Sequence, residues 1–409
     1  MTDAAPSRPP QAGGDAWFGP LLAMVGVQTA ASFLSRIAPT LSPSLAPRIG
    51  WPVESAGYLS SLITGGSVVA LLLGLPLLRR FGSLRNLQVG LALGVAGALL
   101  SAVPAPAALL AGSLLIGFSI GPPSSAGTDV LQRFAPPRHR NLLFSVKQAG
   151  VPLGGVLAGL LLPWTTEVFG IEVAVVVAAG IGALMVAAVQ PLRERVDAPR
   201  ERERPLRWQM FLTLDHLRKP MAALRAQPAL LRMGLAGGCL AAGQSMWFAF
   251  MVSYLVVELR WTLTAAGALF ALMQLVSVFG RPLAGFVSDR LGNGVKVLRW
   301  AVIGSALTTL AVAFCTPAWP TWSVITLAVL GGLTVASWNG VQFAEVARIV
   351  PRETLNETMT GATLVLLLAF AAGPTLFGFI VAGAGFGAAF AVAALVTLTA
   401  LLPLSRVAI

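Results

Sequence analysis

Two stretches of the chain read alike: Trp51-Pro-Val-Glu-Ser-Ala56-Gly57 and Trp261-Thr-Leu-Thr-Ala-Ala266-Gly267, 210 residues apart. At the same offset Leu62 matches Leu272, Val68 matches Val278, Arg80 matches Arg290 and Gly82 matches Gly292. A later block matches at an offset of 215: Gly117 with Gly332, Arg133 with Arg348, Pro136 with Pro351 and Asn141 with Asn356. Single coincidences are common, but a register kept across Trp51, Gly57, Arg80 and Gly82 points to an internal duplication.

What is duplicated follows from composition. Of 409 residues 56% are hydrophobic and only 11% are charged, against about 25% charged in a soluble domain. So little charge cannot cover a soluble protein of this size, and so apolar a chain does not stay disordered. Lys and Arg number 28 against 16 Asp and Glu, a formal charge of +12. In a soluble protein that excess would suggest nucleic acid. Here the basic residues fall in short loops between long apolar runs, as in a polytopic membrane protein.

A membrane helix needs about 20 mostly apolar residues. Runs of that length predict twelve spans, at about 17–39, 56–78, 86–104, 106–133, 142–163, 171–190, 229–257, 264–288, 295–316, 321–349, 357–383 and 386–403. Pro104 and Pro106 divide the third span from the fourth, and the Gly383–Gly387 cluster divides the last two. The expected architecture is all-α: two pseudo-symmetric six-helix bundles over 17–191 and 229–405, a polar N-terminal tail over 1–16 and a linker over 192–228. Arg79, Arg80 and Arg85 follow span 2, Arg138 and Arg140 follow span 4, and Arg290, Lys296 and Arg299 follow span 8. The positive-inside bias puts these loops, the linker and both termini in the cytoplasm. Met1 to Asp15 lacks the basic-then-apolar order of a cleaved signal peptide, so the first helix is expected to stay.

The linker mixes signs (Arg193, Glu194, Arg195, Arg200, Glu201, Arg202, Glu203, Arg204) ahead of an amphipathic stretch near Trp208–Leu217. A solvated cytoplasmic segment with a surface helix is the expectation, because the glutamates would repel phosphate. Cys239 and Cys315 sit in apolar runs and His139 and His216 in charged loops, so neither a disulfide nor a metal site is predicted.

Six spans per half is an even number, so the two halves share one orientation and the repeat is parallel. Two such bundles leave an interface at the bilayer midplane that rocking opens to alternate sides. No phosphate-binding G-x-x-x-x-G-K-[ST] loop is present to drive a pump.

These features resemble the major facilitator superfamily over essentially the whole chain. The sharpest local motif is Gly285-Phe-Val-Ser-Asp289-Arg290-Leu-Gly292 after span 8. In the family this gating loop braces the cytoplasmic side, with the Asp against a helix N-terminus or an Arg, and the resemblance implies that role for Gly285, Asp289, Arg290 and Gly292. The first-half copy, Arg79-Arg80-Phe-Gly82, has Arg where the family has Asp. Gly150-Val-Pro152-Leu-Gly154-Gly155, with Gly159, is similar to the Gly/Pro runs that family members carry in span 5, read here as close helix packing. Gly280-Arg281-Pro282 resembles the span-8 segment of monocarboxylate and oxalate carriers, whose Arg grips a carboxylate. The acid that monocarboxylate carriers place four residues earlier is Ser277 here.

The ionisable residues inside the spans make a short inventory: Arg36, Lys147, Arg281, Asp129 and Glu345, with Arg133 and Arg348 at span ends. A charge at the membrane centre costs about 2.5–3.5 kcal/mol, so these groups must be paired, snorkelling, or lining water. Asp129 and Arg133 are four apart and Glu345 and Arg348 three apart, so each pair can share a helix face. Two readings stand for them, a structural ion pair or a proton-coupling carboxylate. Arg36, Lys147 and Arg281 have no obvious acidic partner within their own spans. Gln148, Gln244, Gln274, Asn339 and Gln342, with Trp247 and Trp338, lie on the same spans. Interhelical hydrogen bonds or a shared cavity would each account for these polar stripes.

A cavity rich in positive charge, amides and tryptophan faces suits a carboxylate. The expected function is secondary transport of a small organic anion, coupled to protons or to a second anion. No cofactor, metal or nucleic-acid partner is expected, and one chain in a bacterial inner membrane would suffice. A drug or amphiphile exporter is the principal rival. Neither a large appended domain for a sensor nor a nucleophile–His–acid set for an enzyme is visible.

Overall fold

The computed structural model describes residues 17–136, 140–198, 200, 201, 203, 215–350 and 354–407. The predicted tail and the stretch 204–214 lie outside the described residues. The first half comprises α1 (Phe18–Ser35), α2 (Ile37–Arg48), α3 (Ser55–Phe81), α4 (Ser83–Ser101), α5 (Pro106–Ile120), α6 (Pro122–Phe134), α7 (Arg140–Phe169) and α8 (Ile171–Ala188). The linker contributes α9 (Arg193–Val196) and α10 (Asp215–Arg225). The second half holds α11 (Pro228–Val257), α12 (Leu263–Leu291), α13 (Gly294–Ala313), α14 (Thr321–Thr334), α15 (Asn339–Ile349), α16 (Leu355–Leu398) and α17 (Leu401–Ser405).

Ten segments of the described residues are long and apolar enough to cross a membrane. One of them, Glu357–Ser405, turns back at Gly385, whose φ of 83° lies inside α16. That turn falls within the glycine cluster where the sequence places a span boundary. With the shorter pair α5 and α6, the passes number twelve. Large apolar side chains such as Leu184, Phe279, Trp322 and Leu402 are about two-thirds exposed. On a soluble protein so much exposed apolar surface would drive association; on a membrane protein it faces lipid.

Three spans differ from the sequence expectation. Span 1 runs on to Arg48 and bends at Arg36, which ends α1 and begins α2. Span 4 is broken at Gly121, between Ile120 and the Pro122–Pro123 pair that opens α6. Proline lacks the N–H an interior position must donate, so two in succession start a helix readily and continue one poorly. Span 10 is broken between Thr334 and Asn339. The two breaks lie at equivalent places in the repeat, so the duplication extends to its irregularities.

The halves meet on backbone. Gly57 on α3 leaves no room for a Cβ beneath the carbonyl of Pro374 on α16, and Gly159 on α7 faces Gly267 on α12 just as closely. Thr375 N and Oγ1 both donate to Ser61 Oγ, at 3.2 and 2.8 Å. Thr264 N donates to Glu167 Oε1 at 3.1 Å. All these contacts lie at the end of the bundle opposite the linker.

The linker is held at both ends. Glu201 N donates to Arg79 O at 2.9 Å on the first half. Leu224 is fully buried in the core of the second half, and Gly361 on α16 lies directly under Pro220.

A side chain at position 159 would wedge this seal. Overpacking costs about 1–3 kcal/mol, enough to reduce the sealed population about tenfold. Cysteines placed by Glu167→Cys and Thr264→Cys should therefore cross-link efficiently in the parent and poorly with Gly159→Leu added. Equal cross-linking would show that the halves do not rely on this contact.

Candidate functional site

Beneath the seal, between the halves, lies a cavity of about 270 Å³. Its walls include Ile63, Thr64 and Ser67 on α3, Gln148 and Val151 on α7, Arg281 on α12, and Leu367 and Phe370 on α16. On each of these helices the seal residues lie farther from the linker end. The cavity is thus on the linker side of the closure.

Two guanidiniums define it. Arg36 sits where α1 bends into α2, with its Cζ 4.3 Å from the centroid of Phe248 and 5.9 Å from that of Phe270. Both rings belong to the opposite half, so this cation–π contact also spans the interface. Arg36 Nε is buried without a hydrogen-bond partner. Arg281 Nε donates to Ala336 O at 3.2 Å, a carbonyl freed by the break in span 10. Both guanidiniums line the same cavity. Among the described residues no carboxylate lies within ion-pair distance of either.

Amides complete the polar wall. Gln148, Gln244 and Asn339 line the cavity, and Gln244 Oε1 and Asn339 Oδ1 are buried without partners. Phe248, Phe343 and Phe370 supply the apolar face. The cavity thus brings together Arg36, Gln148, Gln244, Arg281 and Asn339 from the sequence inventory.

The other inventory residues lie elsewhere, each for a local reason. Trp247 is fully buried against Phe390, with Nε1 donating to Thr309 Oγ1 at 2.9 Å. Trp338 Nε1 donates to Val335 O at 3.0 Å within the second-half core. Gln342 fills the space over Gly237 and donates to Met233 O at 3.0 Å. Gln274 packs against Gly155 at the interface between halves. Lys147 is buried, and its Nζ donates to Pro123 O at 2.6 Å. Interhelical and backbone hydrogen bonds hold Trp247, Trp338, Gln342 and Lys147, whereas Gln274 Nε2 and Gln342 Oε1 are buried without partners. The sequence reading missed Phe248, Phe343, Phe370 and the α3 stripe of Ser60, Thr64 and Ser67. The stripe had a signal in its helical spacing, whereas the phenylalanines look like any other core residues.

Asp129 and Glu345 are absent from the cavity walls. Both close helix starts at the linker end. Asp129 takes a hydrogen bond from Ser83 Oγ, at the start of α4, and pairs with Arg133 at 2.5 Å. Glu345 Oε1 accepts from Gly294 N, the start of α13, at 3.1 Å, and Oε2 pairs with Arg348 at 2.7 Å. Carboxylates are favourable at helix N-termini. Of the expected gating loop, Gly292 is the left-handed cap of α12, with φ 60°, and its carbonyl accepts from Arg348 at 3.3 Å. Gly285 has open space about it. Arg290 Cζ lies 5.2 Å from the Phe286 ring. Asp289 is exposed, and the helix start expected for it is taken by Asn293, which accepts from Lys296 N at 2.9 Å, and by Glu345.

In the first half, where Arg79 replaces the family's Asp, the linker supplies the carboxylate. Asp197 is fully buried and accepts from Leu84 N at 2.8 Å and Arg85 N at 3.0 Å. Gly82, at φ 95°, has no space for a Cβ beside it. Val196 O accepts from Arg133 at 2.8 Å. Burial pushes the Asp197 carboxyl above its ordinary range, opposed by those two N–H donors and by Arg193 and Arg200.

Two six-helix halves enclose one cavity, sealed at the end opposite the linker. The Major Facilitator Superfamily profile matches residues 17–298 and, again, 233–408, so the chain belongs to that family and is a transporter, not an enzyme. It is 28% identical over 398 residues to an uncharacterised MFS-type transporter of Mycobacterium tuberculosis, covering 96% of this chain and 86% of that one. It is 24% identical over 311 residues to a probable chloroplastic anion transporter of Arabidopsis thaliana, covering 71% of this chain and 59% of that one. In fold it is similar to a peptide transporter POT mutant in complex with alafosfalin, with a TM-score of 0.75 at 16% identity over 98% of this chain and 96% of that one.

Removing the Asp197 carboxylate strands two buried N–H groups, at about 1–3 kcal/mol. Asp197→Ala should lower the melting temperature of the detergent-purified protein, and an unchanged value would dismiss the brace. Because folding raises this pKa, the protonated form adds stability below the ordinary Asp value of about 3.9, and that stability is lost as pH rises through the folded value. Asp197→Asn should remove that part of the pH dependence.

Proposed function

We propose that this protein carries a small organic anion of the carboxylate class across a bacterial cytoplasmic membrane by alternating access, coupled to protons and acting as a single chain. The observation that carries the proposal is the pair Arg36 and Arg281, both lining the cavity with no carboxylate partner among the described residues. A buried charge without a counter-charge costs several kcal/mol. A carboxylate entering between the two guanidiniums removes that cost and gains charge-assisted hydrogen bonds. The free oxygens of Gln244 and Asn339 suit a hydroxyl or amide on the same solute, and the three phenylalanines suit its carbon skeleton.

The size of the cavity sets the scale, since drug-sized ligands occupy pockets of about 300–1,000 Å³. A cationic drug would meet two guanidiniums and no acid. The plant relative's description as a probable anion transporter agrees in charge class. The basic loops at the linker end suggest that this end faces the cytoplasm, making the described state inward-open. Anion exchange is the second reading, favoured by one observation: the span carboxylates Asp129 and Glu345 are committed to helix starts away from the cavity.

Uptake by proteoliposomes of acetate, lactate, succinate and benzoate, with and without a pH gradient, tests the proposal. At least one anion should be accumulated, faster with the inside alkaline. Losing a hydrogen bond to a charged group costs about 1.5–3 kcal/mol, so Arg36→Gln and Arg281→Gln should each weaken uptake about tenfold or more. Transport confined to neutral or cationic solutes, or undiminished in both variants, would overturn the anion assignment. Indifference to the gradient would leave exchange as the mode.

A further inference from the structure

Proton-coupled carriage needs a group that gains and loses a proton near the anion, and the cavity wall supplies none. Arginine stays protonated. The span carboxylates Asp129 and Glu345 are tied to arginines and helix starts. Among the described residues, one titratable group remains close by. Lys147 is 3% exposed on α7 and immediately precedes Gln148, which lines the cavity. The carbonyl that holds it, Pro123 O at 2.6 Å, lies three residues beyond Ile120, another wall residue.

Among the described residues, no acidic side chain lies within ion-pair distance of Lys147. The stem of Lys147 packs on Gly127 of α6, where any Cβ would meet it. Asp129, two positions on, projects about 200° around that helix and is bound to Ser83 and Arg133. On the other elements packed against α7, Arg36 lies over Phe248, Arg48 pairs with Glu172 of α8, and Arg281 bonds Ala336 O. Asp289 and Arg290 lie exposed at the linker end of α12. On α7 itself, Glu167 bonds Thr264 at the sealed end.

A lysine in apolar surroundings readily changes protonation state, which is how buried lysines serve as bases. Both an ammonium and a neutral amine donate to a carbonyl, so Pro123 O holds Nζ in place through either state. Resting on the anion-carrier reading above, we infer that Lys147 is the proton-carrying residue of the transport cycle. With an anion on Arg36 and Arg281, its negative field favours the Lys147 ammonium. With the cavity empty, nothing offsets the cost of holding an ammonium in apolar surroundings, and the amine releases its proton. One H⁺ taken up on the amine and one monovalent anion bound beside it cross together and leave together. The coupling is reciprocal: the anion strengthens proton binding by the factor by which the proton strengthens anion binding.

The test uses the full chain in proteoliposomes and whichever of acetate, lactate, succinate or benzoate the parent takes up. Two modes are measured: accumulation driven by a pH gradient, and exchange of labelled for unlabelled anion at equal pH, which requires no net proton movement. Lys147→Arg keeps the charge and forbids release of the proton. Lys147→Gln fixes an uncharged donor to the same carbonyl and guards against an arginine too large for the site. For whichever variant folds, gradient-driven accumulation should fall about tenfold or more, as expected for loss of a coupled site, while exchange persists. Accumulation like the parent's in either variant, or loss of both modes together in each, overturns the assignment of Lys147 and leaves the anion reading standing. Absence of any anion uptake by the parent overturns both.

Discussion

Two half-buried guanidinium groups lining one cavity, with no carboxylate among the described residues to balance them, constrain the structure more than any other feature. A lone buried cation costs several kcal/mol, and the surrounding architecture is arranged to bear that cost. Arg36 rests on the face of Phe248 from the other half. Arg281 takes the carbonyl of Ala336, available only because span 10 is interrupted there. The bend at residue 36 and the break after Thr334 would be defects in a plain membrane helix. Here the bend aims Arg36 at the Phe248 ring, and the break supplies the carbonyl that Arg281 bonds. The same device holds Lys147, whose acceptor lies just past the break in span 4.

Acidic groups are kept apart from this region. Asp129, Glu345 and Asp197 each close a helix start at the linker end. The first-half loop lacks the aspartate that the second half retains in sequence, yet a carboxylate stands at the start of α4 because the linker folds back to provide one. In the second half Asp289 is exposed and Glu345 fills the equivalent place. The repeat therefore conserves a physical requirement, negative charge at a helix N-terminus, rather than the residue that meets it.

How much of this was legible in the sequence varied with the range of the interaction. Span count, repeat and the turn at Gly383–Gly387 depend on composition and local punctuation, and all were readable. The break in span 4 was written plainly as Gly121-Pro122-Pro123, although Pro104 and Pro106 drew the boundary elsewhere. Arg36, Arg281, Gln148, Gln244 and Asn339 were selected by chemistry and do meet in one cavity. Trp247, Trp338 and Gln342 were selected by the same chemistry, but a helix presents polar tips in every direction, and only its rotation within the bundle decides whether they meet water or a neighbour's carbonyl. Asp197 meets residues 112 and 113 positions away, a pairing that no local pattern announces.

The closure at the far end has a further meaning for the working cycle. Glycine on glycine and glycine on a proline carbonyl form a joint largely of main chain, with few rotamers to order beyond those of Ser61, Thr375, Glu167 and Thr264. Surfaces of that kind separate and rejoin in the same alignment many times over without annealing. Pro374 belongs both to the joint and to the cavity wall, so the fit of the joint and the shape of the chamber beneath it are linked at that residue.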